Sequence, residues 1–432
     1  MEFDMDDLQR RREQRQQEQK EQKARLRQRR KTLFKLGIAA AVLLICAGLI
    51  LAVSLGGRDS DVGQNLPQDT QLQTPQNTTA AAPTEAAETV IRFAAAGDLN
   101  VTDGVVASGG VSYDYTNAFM DVVPLLSDAD LTAINLEGIL CGAPYGGENR
   151  SAPQPLMNAL ATAGVDLVQV ANSYSIRKGV SSLGTTLRSV ELAGMDPVGA
   201  FADAKEFDRT GGYNLYDIKG VKVAVVAFTK GMDSMALPAG SEKCVNVLYT
   251  DYSSTYQEVD TQGITKLLRA IESEKPDITI ALLHWGSEYN DSHSKTQDEI
   301  KTLMLSEGVD AIIGTHPHYL QEMIFDQTAG TFVAYSLGDF FGDGDKAGTD
   351  YSVVVNLEIT KNNETGETKV TDYSYTPIYT AKDPQGLLRV LRLEPAMAAY
   401  EVGYIERVSK EAYDSMVYAM KRIEERIHPE SK

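Results

Sequence analysis

The body of this chain reads as an α/β fold, on three observations. From about residue 89 onward, short apolar runs alternate with helical patterns. The runs are apolar nearly throughout, as strands covered on both faces are. Polar residues gather immediately after the runs, where α/β sheets place their ligands.

Before that body lie three segments of different composition. The whole chain has 432 residues and a formal net charge of −19. Residues 1–35 hold 12 Lys/Arg against 7 Asp/Glu, which leaves 29 basic and 53 acidic residues in the rest. Segment 1–35 reads as a charged cytoplasmic stretch that forms a solvated helix or none. Residues 36–56 read as one transmembrane helix, because the 20 residues from Leu36 to Leu55 carry no charge. At 1.5 Å per residue such a run spans about 30 Å of hydrocarbon. Arg27, Arg29, Arg30, Lys31 and Lys35 precede it and Arg58 stands alone after it, which orients the N-terminus to the cytoplasm. The expected localisation is therefore the cell membrane, single-pass, with the C-terminal domain outside the cell. Residues 57–88 are Gln-, Thr-, Pro- and Ala-rich and read as a flexible tether.

The expected strands are 90–96, 131–135, 166–171, 221–228, 277–283, 309–313 and 331–337. Helices are expected near 117–127, 182–194, 261–274 and 295–307. Residues 350–380 are rich in β-branched and aromatic side chains and read as antiparallel strands, and 409–427 as a final amphipathic helix. The main domain is placed at 89–345, with 346–432 completing it. Cys141 and Cys244 match no metal spacing and read as two free, buried thiols. The acidic surface argues against nucleic acid, whose binding depends on Lys and Arg displacing counterions.

Six strand ends carry polar residues: Gly97-Asp98, Asn135-Leu136-Glu137, Asn172, His284-Trp285-Gly286, Gly314-Thr315-His316-Pro317-His318 and Gly338-Asp339. Most of these alone are explained by a turn or a satisfied core histidine, but Gly314-Thr315-His316-Pro317-His318 brings two imidazoles close together and reads as a site. Three of only five histidines at such positions are harder to explain that way. Carboxylate and imidazole together suit a divalent ion such as Zn²⁺, Mn²⁺ or Fe²⁺.

The succession GDLN (97–100), INLEG (134–138), VANSY (170–174), LHWGSEY (283–289), IIGTHPHYLQ (312–321) and AYSLGDF (334–340) resembles the CapA-type poly-γ-glutamate capsule synthesis family. The resemblance covers roughly residues 89–345. It implies a calcineurin-like metallophosphatase-type four-layer α-β-β-α sandwich and a role in making, tethering or releasing poly-γ-glutamate. It further implies as partners an anionic polymer such as poly-γ-glutamate, the membrane subunits of a capsule synthase, and the membrane itself. Carried over, the metal residues are Asp98, Glu137, Asn172, His284, His316, His318 and Asp339, and the catalytic ones His316, His318 and Tyr174. The family's usual Ala-Asn-Asn-His, with an Asp three residues later, is Ala171-Asn172-Ser173-Tyr174 and Arg177 here. Ser173 is a poor ligand, and a tyrosine of pKa about 10 is a weaker acid near pH 7 than imidazole. Two functions remain open: a metal-assisted hydrolase of a phosphoester or amide, and a non-catalytic binding or scaffold module. A true phosphoesterase is disfavoured, since the expected Asp-x-His is Asp98-Leu99-Asn100.

Overall fold

The computed structural model describes residues 87–383, 385–404 and 408–429. The charged stretch, the transmembrane reading of 36–56 and the tether up to residue 86 lie outside the described residues. Among the described residues no helix is long and apolar enough to cross a membrane.

Fourteen strands form two mixed sheets. In chain order they are β1 (Glu88–Asn100), β2 (Leu131–Glu137), β3 (Leu167–Gln169), β4 (Asp196–Val198), β5 (Asn214–Ile218), β6 (Val221–Thr229) and β7 (Ile278–His284). Then follow β8 (Ala311–Thr315), β9 (Met323–Asp326), β10 (Thr331–Ala334), β11 (Asp339–Phe341), β12 (Tyr351–Asn362), β13 (Thr368–Lys382) and β14 (Leu388–Arg392). The first sheet runs β14-β13-β12-β1-β2-β3-β4, with β11 beside the far end of β1. The second runs β5-β6-β7-β8-β10-β9. The first sheet is parallel from β1 to β4 and antiparallel from β1 to β14, whereas the second has a parallel centre and two antiparallel edges.

The period-two alternation of strands assigns the cores. In β6, Val221, Val223, Val225 and Ala227 face a core shared with Ile91 and Phe93 of the other sheet, while Ala224, Val226 and Phe228 face the opposite way. In β2, Leu131 and Ala133 join the shared core, whereas Ile134 and Leu136 meet helices Gln154–Ala163 and Val180–Leu192. Helices Thr261–Ser273 and Lys295–Ser306 cover the outer face of the second sheet through Ile264, Leu268, Ile300 and Met304. The layers are therefore helix, sheet, sheet, helix.

The expected helix at 117–127 is two short ones, Thr116–Phe119 and Val123–Ser127. Pro124 explains the break, since it lacks an amide hydrogen and sits well only in a first turn. Helix Gln154–Ala163, which the apolar pattern did not announce, starts just after Pro153 and stops at Gly164 (φ 118°). Strand 166–171 narrows to β3, and 331–337 to β10. Both cysteines are free, but only Cys244 is buried. Cys141 is half-exposed, its Sγ 3.5 Å from Ser151 Oγ.

Candidate metal centre

Strand pairing assembles the site. In the first sheet Asp98 is in register with Asn135 of β2 and Asp339 of β11. In the second, His284 of β7 is in register with Thr229 of β6 and Thr315 of β8. Asp98, Asn135, Thr229, His284 and Thr315 lie at or near the carboxyl ends of their strands, as the polar pattern implied, whereas Asp339 opens β11 instead of closing the expected strand 331–337. Glycine makes the approach feasible: a Cβ on Gly97 would lie 1.8 Å from the carbonyl oxygen of Gly338, and one on Gly314 2.0 Å from that of Tyr335. The two rows are tied directly, since the His316 amide donates to Asp98 Oδ2 at 3.1 Å.

Two buried groups of possible ligands result, Glu137–His284–His316 and Asp98–His318–Asp339, each with its ligand atoms within 4.8 Å of one another. A third group adds the exposed Glu288 to His316 and His318. The Thr229 hydroxyl donates to the carbonyl of Gly231 (2.9 Å) and so accepts from His284 Nδ1 (2.9 Å). That turns His284 Nε2 toward Glu137 Oε2 at 2.9 Å. A cation, proton or metal ion, belongs between these two atoms, because otherwise two lone pairs face each other in a dry site. His316 Nδ1 and Asn135 Oδ1 are buried without a hydrogen-bond partner. Orphaned lone pairs beside carboxylates are what a metal ligand set looks like before the ion is counted. The donor set fits a divalent ion.

The second group is closed by hydrogen bonds. His318 Nδ1 is 2.7 Å from Asp339 Oδ1 and 3.7 Å from Asp98 Oδ2. Asn135 Nδ2 donates to Asp98 Oδ1 (2.5 Å) and to Glu137 Oε2 (3.0 Å), linking the groups.

Electrostatics follow from burial and neighbours. Burial pushes Asp98 up to about 7, aided by Glu137 and Asp339 and opposed by His318. Burial would raise Glu137 as well, but its ion pair with His284 prevails and holds it at about 2. Burial drives His316 well below the usual histidine range, helped by the neighbouring His284. His318 is the reverse: burial disfavours its charge, yet Asp339 and Asp98 carry it up to about 10.

Six of the seven residues expected to bind metal therefore converge. Asn172 is spent on the backbone: its Nδ2 donates to the carbonyls of Leu136 and Val170, and its Oδ1 accepts from the Tyr174 amide at 2.7 Å. It braces the turn that follows β3. Ser173 Oγ stands 3.5 Å from His284 Nε2. Tyr174 borders the centre, its phenol pushed up to about 12 by burial and by Glu137. Asn135, Thr229 and Glu288 complete the site; the sequence pattern noted Asn135 at a strand end without reading it as part of the ligand set, and did not single out the other two. Glu288 was legible inside HWG-x-E-Y, whereas Thr229 depends on strand register.

Histidines and carboxylates converging on the shared edge of two sheets define an α/β protein with a metal-type centre. The chain belongs to the bacterial capsule synthesis protein family PGA_cap, whose model matches residues 92–343. It is 26% identical over 253 residues to the capsule biosynthesis protein CapA of Bacillus anthracis, covering 58% of each chain. It is 28% identical over 220 residues to the PGA biosynthesis protein CapA of Bacillus subtilis strain 168, covering 49% of this chain and 52% of that one. The chain thus spans just over half the length of these curated relatives. Among solved structures, a novel phosphatase from Mycoplasma pneumoniae aligns with a TM-score of 0.42 at 15% identity, covering 69% of this chain and 96% of that one. The calcineurin-like phosphoesterase YfkN of Bacillus subtilis aligns with a TM-score of 0.39 at 15% identity, covering 77% and 99%.

Proposed function

We propose that this chain is a membrane-anchored, extracytoplasmic capsule-synthesis protein of the CapA type, with a metal-dependent hydrolytic centre in a metallophosphatase-like domain. The polymer it serves is poly-γ-glutamate or a similar polyanion, and its partners are the membrane and the membrane subunits of the synthase. One observation carries the hydrolytic reading: the buried Glu137–His284–His316 group, in which Nε2 and Oε2 stand 2.9 Å apart and His316 Nδ1 has no partner.

Glu137, His284 and His316 would hold Zn²⁺, Mn²⁺ or Fe²⁺, which would supply Lewis acidity toward a carbonyl or phosphoryl oxygen. The remaining roles belong to the chain. Asp98 and Asn135 hold the two groups in fixed relation. His318, protonated and anchored through Nδ1 on Asp339, keeps Nε2 as the atom that hands a proton to a leaving group. Exposed Glu288, beside His316 and His318, is the group placed to accept the proton of the attacking water and pass it to solvent. Tyr174 acts as a neutral hydrogen-bond donor at the edge of the centre.

The second reading, a non-catalytic scaffold, is favoured by Ser173 and Tyr174, which stand where a ligand and an acid are expected. Elemental analysis of the purified full chain, beside an His316→Ala/His318→Ala double variant, decides between them. A near-stoichiometric transition metal that the double variant loses supports the hydrolase. Equal absence of metal from both proteins, with equal stability, sinks it.

A further inference from the structure

Three cations stand near the centre without a carboxylate ion pair among the described residues, in a chain whose residues after 35 carry a net charge of −24, although Lys230, its pKa lowered by burial, also feels the Glu288 carboxylate. Each lies over a tyrosine ring. The Arg150 guanidinium is 4.8 Å from the Tyr174 centroid, Lys230 Nζ 4.6 Å from that of Tyr256, and Lys346 Nζ 3.4 Å from that of Tyr289. Such rings hold a cation by their quadrupole without neutralising it.

Each cation is one step from the centre. Arg150 Nη1 donates to Asn100 Oδ1 (2.8 Å), and the Asn100 amide reaches Asp339 Oδ2 at 3.4 Å. Tyr289 stacks on His318 with ring centroids 5.6 Å apart, so Lys346 sits one ring away from that imidazole. The Lys230 amide donates to the carbonyl of His284 (2.7 Å) and its Nζ to that of Gly286 (2.7 Å). Arg177, also over Tyr174, differs in that Asp233 neutralises it at 2.8 Å.

Turns carry one of these cations and two of the rings, in a conformation that Lys219, Lys275 and other turn residues of the chain share. Arg150 (φ 51°), Tyr256 (φ 54°) and Tyr289 (φ 59°) all adopt the left-handed region that side chains rarely occupy.

We propose that Arg150, Lys230 and Lys346 form a cationic collar that seats the anionic groups of a polyanionic substrate on either side of the reacting bond. The inference rests on the hydrolytic reading above for the word substrate, and on the three cation–tyrosine pairs for the collar itself. Unpaired cations around an acidic centre attract an oxyanion chain that the rest of the surface repels, and so select both substrate class and register.

The test is fluorescence anisotropy on the full chain, with and without chelator, using a labelled short γ-linked glutamate oligomer, a labelled polyphosphate and a neutral γ-linked isoglutamine oligomer, whose α-carboxylates are carboxamides. Arg150→Gln, Lys230→Gln and Lys346→Gln are each expected to weaken glutamate-oligomer binding roughly three- to fivefold, and the triple variant about fiftyfold. Arg150→Lys retains most of the affinity, the metal content is unchanged, and added salt weakens the wild type but not the triple variant. Thermal midpoints separate lost binding from lost folding, and exposed Lys346 gives a variant that folds regardless. Triple-variant binding equal to wild type, or a neutral oligomer bound as well as the charged one, overturns the collar. Polyphosphate preferred with the same collar dependence upholds the collar and assigns the substrate phosphate rather than carboxylate groups. Collar-dependent binding by a protein that holds no metal upholds the collar and sinks the hydrolytic reading. Stoichiometric metal without collar dependence does the opposite.

Discussion

Glu137–His284–His316 and Asp98–His318–Asp339 are built from the same residue types within one buried site, yet they solve the cost of burial in opposite ways. In the first group two imidazoles share one carboxylate, and lone pairs are left over. In the second, two carboxylates share one imidazole, a proton on His318 offsets one of them, and burial raises Asp98 toward its neutral form. The first group is closed by either a proton or a metal ion between Glu137 and His284 and still leaves His316 Nδ1 over, while the second is held by the proton on His318. The ratio of acids to imidazoles, rather than their mere presence, separates a ligand set from a proton store.

The largest effect should come from the first group. Glu137→Gln removes the carboxylate and leaves an amide whose NH₂ group opposes His284 Nε2. Metal affinity is expected to fall beyond the ~10–100-fold that loss of an outer partner costs. Asp339→Asn, in the second group, should leave most of that affinity intact. Competitive titration with a chromophoric chelator reads both, and equal losses would erase the distinction between the groups.

Stability against pH gives the next effect. His318 is raised from 6.5 to about 10, so its contribution is whole below pH 6.5 and is lost as pH rises through 10. Asp98, raised from 3.8 to about 7, acts in the same direction, its contribution draining away between those values. Glu137, lowered from 4.5 to about 2, contributes above pH 4.5 and fails as pH falls through 2. The chelator-treated protein should therefore lose stability toward alkaline pH through the second group and toward acid through the first. Asp339→Asn should cost about 3–5 kcal/mol near pH 7, the scale for unpairing a buried charge, and flatten the alkaline limb. Urea midpoints between pH 5 and 10 check this; an unchanged alkaline slope would place the proton elsewhere.

Much of this was legible in the sequence, for reasons that also mark the limit. The strand ends announced Asp98, Glu137, His284, His316, His318 and Asp339, because a polar residue closing a buried parallel strand stands at the sheet edge where ligands are held. The sequence did not reveal how these six divide into two groups. That division depends on register, which sets Asp98 beside Asp339 and His284 beside Thr229 although they lie far apart along the chain. Asn172 shows the opposite failure. Its position at a strand end matched the ligand pattern, but local side-chain bonds to backbone compete for an Asn in a turn, and here they prevail. The broken helix at 117–127 has a similar local cause in Pro124. The collar cations were invisible because their tyrosine partners lie far away in sequence or carry no periodic signal.

The smallest expected effect concerns Ser173, which borders the first group alone. Its Oγ lies 3.5 Å from His284 Nε2, at the limit of hydrogen bonding, and a neutral hydroxyl is a weak donor to a divalent ion. Ser173→Ala should change metal affinity by less than about twofold and stability by under ~1 kcal/mol, since one marginal hydrogen bond is removed from a buried site. A tenfold loss of metal would mean instead that the hydroxyl completes the coordination of Glu137, His284 and His316. The departure from the family pattern would then be a substitution of one ligand for another, and the contrast between the two groups would become one of four ligands against three.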